Sequence, residues 1–380
     1  MSDREHRLSR RQFLRAAWKT TRVGAAGALL SACGARLGTP TGEGETVPPV
    51  TPWAPRSSDT PSGPPTPNPT ATTTPTPGGP SMGRVSLVVT QNRAEGTRRV
   101  IDLLGEVPLT GKRVLLKPNF NSSDPAPGST HNDVLRSMVE WLQEGGAGSI
   151  TVADRSGMGD TRRLMRDKGV LAMADELGFE PLVLDELGPG DWEHIRADDS
   201  HWRDGFFIAR PCLDADVVVQ TCCLKTHRFG GHFTLSLKNS VGLVAKAVPG
   251  DAYNFMNELH SSSQQRRMIA EVNTAYAPSM VVLDGVQAFV NGGPDQGKKV
   301  APHVMLAGSD RVALDAVGVA LLRMYGTTPD VASGPIFELE QIARAVELGL
   351  GAPDADAIEI VTGDAESQGM AEKVRGVLLS

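Results

Sequence analysis

An α/β fold with a mostly parallel sheet and helices on both faces is predicted by three observations on this 380-residue chain. Short β-branched runs alternate with helix-period patterns, most runs are apolar nearly end to end, and polar residues gather just after the runs. The strands expected, in order, are Val85 to Val89, Arg113 to Leu116, Ser149 to Ala153, Pro181 to Leu184, Asp216 to Gln220, Met280 to Leu283, His303 to Leu306 and Ile358 to Val361. Between them lie helical patterns: Asn132 to Gln143 behind a Thr130 cap, Thr161 to Leu177, Gln264 to Tyr276 and Arg311 to Tyr325. Strand then helix, repeated, calls for parallel pairing. The roughly 300 residues concerned suffice for one large domain or for two lobes around a cleft. No internal repeat of fixed period is present.

The amino terminus reads as an address. Ser9-Arg10-Arg11-Gln12-Phe13-Leu14-Arg15 has the twin-arginine export pattern, and Leu30-Ser31-Ala32-Cys33 has the order of a lipoprotein cleavage box. The apolar stretch between them, Val23 to Ala32, is far shorter than the roughly 20 residues a membrane span needs. Residues 1–32 are therefore expected to be a signal peptide, with Cys33 lipidated after cleavage. Residues 33–82 form a Pro/Thr-rich segment, including PTPNPTATTTPTP, that buries too little apolar surface to fold and reads as a tether. The α/β domain then occupies residues 83–380. This places the protein outside the cell, anchored to the outer face of the cytoplasmic membrane or to another envelope membrane.

Charge narrows the partners. The whole chain carries a net charge of −6, and from Cys33 onward 31 Lys and Arg face 42 Asp and Glu, a net −11. That argues against nucleic acid and against electrostatic adhesion to anionic lipid, leaving the lipid anchor as the membrane partner. With Cys33 lipidated, the cysteines left are Cys212, Cys222 and Cys223. Inert buried cysteines are the favoured reading, against a disulfide from Cys212 to Cys222 or Cys223. No Cys-x-x-Cys spacing exists, so no iron-sulfur cluster is expected within the chain.

The richest segment for chemistry is LKTHRFGGHFTLSLKN, Leu224 to Asn239, directly after the apolar run that ends at Cys223. It sets Lys225, His227, Arg228 and His232 around Gly230 and Gly231, in what reads as a loop at the carboxyl end of a strand, where open α/β sheets bind ligands. Glycine there lets backbone approach a ligand closely. Lys117 and Asn119 follow the second strand, Asp154 and Ser156 the third, and Asp284 the sixth, so all would share one sheet edge. The turn Asp154 to Asp160, DRSGMGD, could cradle an anion at a helix start, although Asp160 or Ser156 as an ordinary cap explains the same residues. Lys168, in the helix that follows, is expected to be exposed. Neither a dinucleotide fingerprint, a phosphate loop nor a Gly-x-Ser-x-Gly elbow is present.

Lys225-Thr226-His227 followed by Lys238-Asn239, with Lys117-Pro118-Asn119 upstream and Gly292-Gly293-Pro294 and Asp310 to Asp315 (DRVALD) downstream, resembles the domain of unknown function 362 family over roughly Leu115 to Ala320. The resemblance implies an α/β fold and these positions, and no settled reaction. Many relatives carry ferredoxin-like Cys clusters, which this chain lacks.

The reading is an exported, membrane-tethered protein with a Lys/His-lined crevice for a small anionic molecule. As an enzyme, it would use Lys225 and His227 for acid-base or electrophilic work. Lys117, Asn119, Asp154, Ser156, Lys238 and Asn239 would then hold the ligand, and Asp284 would orient a cation or a His. A desolvated Lys117, Lys225 or Lys238 could also form a Schiff base. A divalent metal stays open, with His227 and His232 as first candidates and Asp284 and His303 as further ligands, because a Gly-Gly loop imposes no ligand geometry. The alternative is a non-catalytic solute-binding or structural surface lipoprotein, and no protein partner is indicated.

Overall fold

The computed structural model describes residues 82–380, which belong to one compact unit, the simpler of the two arrangements the length allows. The export signal, Cys33 and the tether up to residue 81 lie outside the described residues.

One large sheet organises the molecule. Its strands are β1 (Gly83–Val89), β2 (Arg113–Lys117), β3 (Ser149–Asp154), β4 (Glu180–Val183), β7 (Val217–His227), β9 (Met280–Gly292), β11 (Val304–Gly308) and β12 (Ile358–Val361), ordered β12-β1-β11-β9-β7-β2-β3-β4. All run parallel except β11, which is antiparallel to both β1 and β9. β8 (His232–Thr234) returns on β7 and β10 (Gly297–Val300) returns on β9, while β5 (Trp192–Ile195) and β6 (Phe206–Ala209) make a separate two-stranded sheet.

The period of two shows that both faces are covered. In β2, Val114 and Leu116 join a core with the helices Arg93–Asp102 and Asn132–Glu144, and Leu115 points into a different core on the other side. In β9, Met280 and Val282 share the first core, whereas Val281 and Leu283 pack with the helix Arg311–Met324. That helix is buried along nearly its whole length, which explains its almost unbroken apolar sequence. Truncating a side chain in such a core, for example Leu87→Ala, costs on the order of 2–5 kcal/mol.

The expected elements are present, with informative shifts. Thr161 to Leu177 is two helices, Thr161–Asp167 and Val170–Leu177, because Gly169 between them is left-handed at φ 72°. The helix Asn132–Glu144 is capped by His131 Nδ1, which accepts from Asp133 N, and Thr130 instead accepts from Asn119 N at 2.8 Å. The largest correction concerns β7, which continues seven residues past Gln220 to His227. The expected loop residues Lys225 and His227 are thus strand residues, paired with Thr234 and His232 across a hairpin. Likewise β9 runs on to Gly292, so Asp284 lies inside a strand.

Candidate functional site

Lys117, Asn119, Asp154 and Lys225 sit at or near the carboxyl ends of parallel strands β2, β3 and β7, the short helix Ser236–Asn239 brings Lys238 and Asn239 to the same edge, and Asp284 is level with Cys223 of β7 but in the first half of β9. They fall into groups with different chemical states.

The first group is a closed clamp. Lys117 Nζ lies 2.8 Å from Asp154 Oδ1 and donates to Pro118 O at 2.7 Å and Asn239 Oδ1 at 3.2 Å. Asn119 Nδ2 donates to the same Asn239 oxygen at 3.2 Å, and Asn119 Oδ1 accepts from Lys225 Nζ at 2.7 Å. Lys225 Nζ also donates to Gly128 O at 2.5 Å, and Asn239 Nδ2 to Thr221 O at 3.1 Å. Asp154 further accepts the N–H groups of Phe120 and Arg155. Burial pulls the Lys117 amine down and pushes the Asp154 carboxyl up, against their mutual attraction. Burial likewise lowers Lys225, which is fully enclosed. Gly242 closes over the pair: a Cβ there would stand 2.5 Å from Asp154 Oδ1 and 2.7 Å from Lys117 Nζ.

The second group is open. Lys238 is 8% exposed, and its amine has no hydrogen-bond or ion-pair partner among the described residues. Burial first, then the Lys225 and Arg155 charges, bring its pKa down to about 8. His227 is buried, and its Nδ1 is sealed from solvent without a partner. Burial, then Lys238, His260, Lys225 and Arg228, hold its pKa well below the usual histidine range, so the ring is neutral. Gly231 marks where the two groups meet. A Cβ there would stand 2.8 Å from Lys238 Cε and 3.1 Å from His227 Nδ1. His260, whose Nδ1 lies 2.7 Å from Met256 O, has its basicity lowered by desolvation and then by Lys238. The charges that act most strongly on Lys238 and His227 are all positive.

The remaining residues have local duties. Ser156 Oγ donates to Asn121 O at 2.7 Å and accepts from Met158 N and Gly159 N, shaping the turn, while Asp160 caps the following helix through Arg163 N. Asp284 is apart from both groups: its Oδ2 meets Arg93 Nε at 2.7 Å and its Oδ1 accepts from Val286 N. His232 faces His227 across the hairpin at φ 60°, and its Nε2 lies 4.0 Å from Asp330 Oδ2. Among the described residues no group of three or more His, Cys, Asp or Glu is placed to hold a metal. Cys212, Cys222 and Cys223 are free, buried thiols, and burial pushes Cys212 up to about 12. Lys168 is not the exposed residue expected; it folds over the Phe120 ring, 5.9 Å from its centroid, and burial lowers its pKa. A cavity of about 460 Å³ lined by Arg84, Ser279, Asp310 and Gly351 opens at the opposite edge of the sheet, away from these groups.

Some contributors are silent in the sequence. His260 and Arg155 give no spacing signal, and Arg155 reaches the region by donating to Val241 O at 2.6 Å. Gly293 is legible only as part of a motif; at φ 61° a Cβ on it would fall 1.9 Å from Thr226 O, so glycine lets the turn after β9 pass against the end of β7.

Fold and site together define an α/β protein whose polar residues converge on the carboxyl edge of a mostly parallel sheet. The chain belongs to the family described as Domain of unknown function (DUF362), which matches residues 114–320. The resemblance carried by the Lys-Pro-Asn, Lys-Thr-His, Lys-Asn, Gly-Gly-Pro and DRVALD segments is thereby borne out. A thylakoid-associated protein, sll1697, of Synechocystis sp. is 28% identical over 256 residues, covering 66% of this chain and 75% of that protein. The lactate racemase apoprotein from Thermoanaerobacterium thermosaccharolyticum aligns over 64% of this chain at a TM-score of 0.37 and 14% identity. The present chain spans 58% of the racemase chain, and the likeness is too slight to carry chemistry across. No helix among the described residues is long and apolar enough to cross a membrane.

Proposed function

We propose that this DUF362 protein is an exported lipoprotein, held to a membrane through Cys33, whose crevice at Gly231 binds a small anion through Lys238. The observation that carries the site is Lys238: the residue is 8% exposed, its amine has no hydrogen-bond or ion-pair partner among the described residues, and Lys225 and Arg155 add positive charge beside it. An entering anion supplies the missing negative charge, raises the amine's affinity for its proton and removes repulsion the empty site bears. In this reading Lys117, Asn119, Asp154, Lys225 and Asn239 form the frame, and Lys238 with His227 forms the reactive pair. That shifts the leading role from Lys225, whose amine is already committed to Asn119 and Gly128. The twin arginines and cleavage box support export and lipidation, and the thylakoid-associated relative agrees with a membrane location. Melting curves with phosphate and with di- and tricarboxylates test the site. Saturation at about a hundred times the dissociation constant adds roughly 2.7 kcal/mol, and Lys238→Ala abolishes that gain.

A further inference from the structure

Resting on the anion site just described, we propose that Lys238 is a nucleophile that forms an imine with the carbonyl carbon of a 2-oxo acid. Three features of the geometry point this way. The residue is over nine-tenths buried, yet its amine has no hydrogen-bond or ion-pair partner among the described residues, unlike Lys117 and Lys225, whose nitrogens donate to three and two neighbouring oxygens. The absence of a side chain at Gly231 leaves clear the space beside the end of Lys238, where a Cβ would press to 2.8 Å from Cε. A second buried and unpartnered group, His227 Nδ1, borders the same space.

These features select a carbonyl compound over a simple anion. A lysine built only to pair with a carboxylate gains most as a full cation, whereas burial and then the neighbouring Lys225 and Arg155 charges favour the neutral amine, which has the lone pair that attack requires. The same cations suit a carboxylate beside the reacting carbon. In the reaction, the Lys238 nitrogen forms a bond to the carbonyl carbon while the carbonyl π pair moves onto oxygen, and one proton passes from nitrogen to that oxygen, giving a hydroxyl. The second nitrogen proton then passes to this hydroxyl, which leaves as water as the nitrogen lone pair closes C=N. The sum is amine plus ketone to imine plus water, with no change of oxidation state. His227, neutral and adjacent, is placed to take the proton from nitrogen and return it to the departing oxygen.

The test uses the detergent-solubilised full-length protein, incubated with pyruvate or 2-oxoglutarate and sodium cyanoborohydride, followed by peptide mass spectrometry. The proposal expects a reduced adduct at Lys238, formed at least tenfold faster than at the exposed Lys112, absent in Lys238→Met, and slowed in His227→Gln. Labelling of Lys238 no faster than Lys112 overturns it. Lactate and succinate, which carry the carboxylate but no ketone, separate the two claims in the same samples. If they raise the melting temperature of the wild type and not of Lys238→Met while no adduct forms, the imine fails and the anion site stands. If neither shift nor adduct appears, both fail.

Discussion

Asp315 holds Ser236 by both of that residue's donors: Oδ1 accepts the Ser236 N–H at 2.7 Å and its hydroxyl at 2.5 Å. Oδ2 accepts the Leu237 N–H at 3.1 Å. One carboxyl on the helix Arg311–Met324 thus satisfies the first turn of the short helix that presents Lys238 and Asn239. Two motifs far apart in sequence are one device in space. Burial pushes Asp315 up to about 7 against these three donors.

Removing that support loosens the site from behind. Asp315→Ala strands two buried N–H groups and should cost on the order of 2–4 kcal/mol, whereas Asp315→Asn keeps one acceptor and should cost less. Urea unfolding gives the ranking. Equal losses for the two variants would show that shape, not hydrogen bonding, sets the role of Asp315.

The Lys117–Asp154 pair is expected to be structural. With both groups 1% exposed, Asp154→Ala leaves a buried ammonium uncompensated and should destabilise by about 3–5 kcal/mol. The double variant Lys117→Met, Asp154→Leu should recover part of that loss. Chemical denaturation of the wild type and the two variants decides it, and a mild effect of Asp154→Ala alone would return Asp154 to the ligand groups.

Stability should carry the signature of Lys238. Its pKa is about 8 in the folded chain and about 10.4 when unfolded. Between these values the unfolded chain holds the additional proton, so raising the pH through this window favours the folded state. Below about pH 8 both forms are charged and the full cost of burying the cation is borne, on the order of 3 kcal/mol. Lys238→Met should therefore be more stable than the wild type near neutrality, with the difference fading toward pH 10.4. A difference that does not vary with pH would remove the depressed pKa from the account.

Location is tested independently of the fold. Cys33→Ser should lose its acyl chains and leave the membrane fraction or stall before cleavage, and Arg10→Lys with Arg11→Lys should stay inside the cell. Fractionation and intact mass read both. Unchanged processing of Cys33→Ser would end the lipoprotein assignment.

The strands and their shared edge were legible because β-branched runs such as Val217 to Val219 and Val281 to Leu283 have no other good use than a sheet buried on two faces. The ends of β7 and β9 were not. Lysine is almost never fully enclosed, so Lys225 inside a strand reads as the start of a loop, and only the oxygens of Asn119 and Gly128 make its burial affordable. For the same reason the sequence ranks all the lysines of the edge alike. Which amine is saturated and which is free depends on partners up to 122 residues away, such as Asn239 for Lys117, and no local pattern encodes that. The Lys238 charge reaches His260 on the helix Phe255–Ser261, equally without a local signal.

The central claim is that Lys238 beside Gly231 is a working anion site, and melting temperature against a panel of phosphates and carboxylates measures it directly. At least one anion should raise the wild-type value, and neither Lys238→Ala nor Gly231→Ala should respond, the latter because its methyl presses on the end of the Lys238 stem and on His227 Nδ1. Both variants should otherwise melt cooperatively. A wild type that responds to no anion, or variants that respond as the wild type does, would contradict the account.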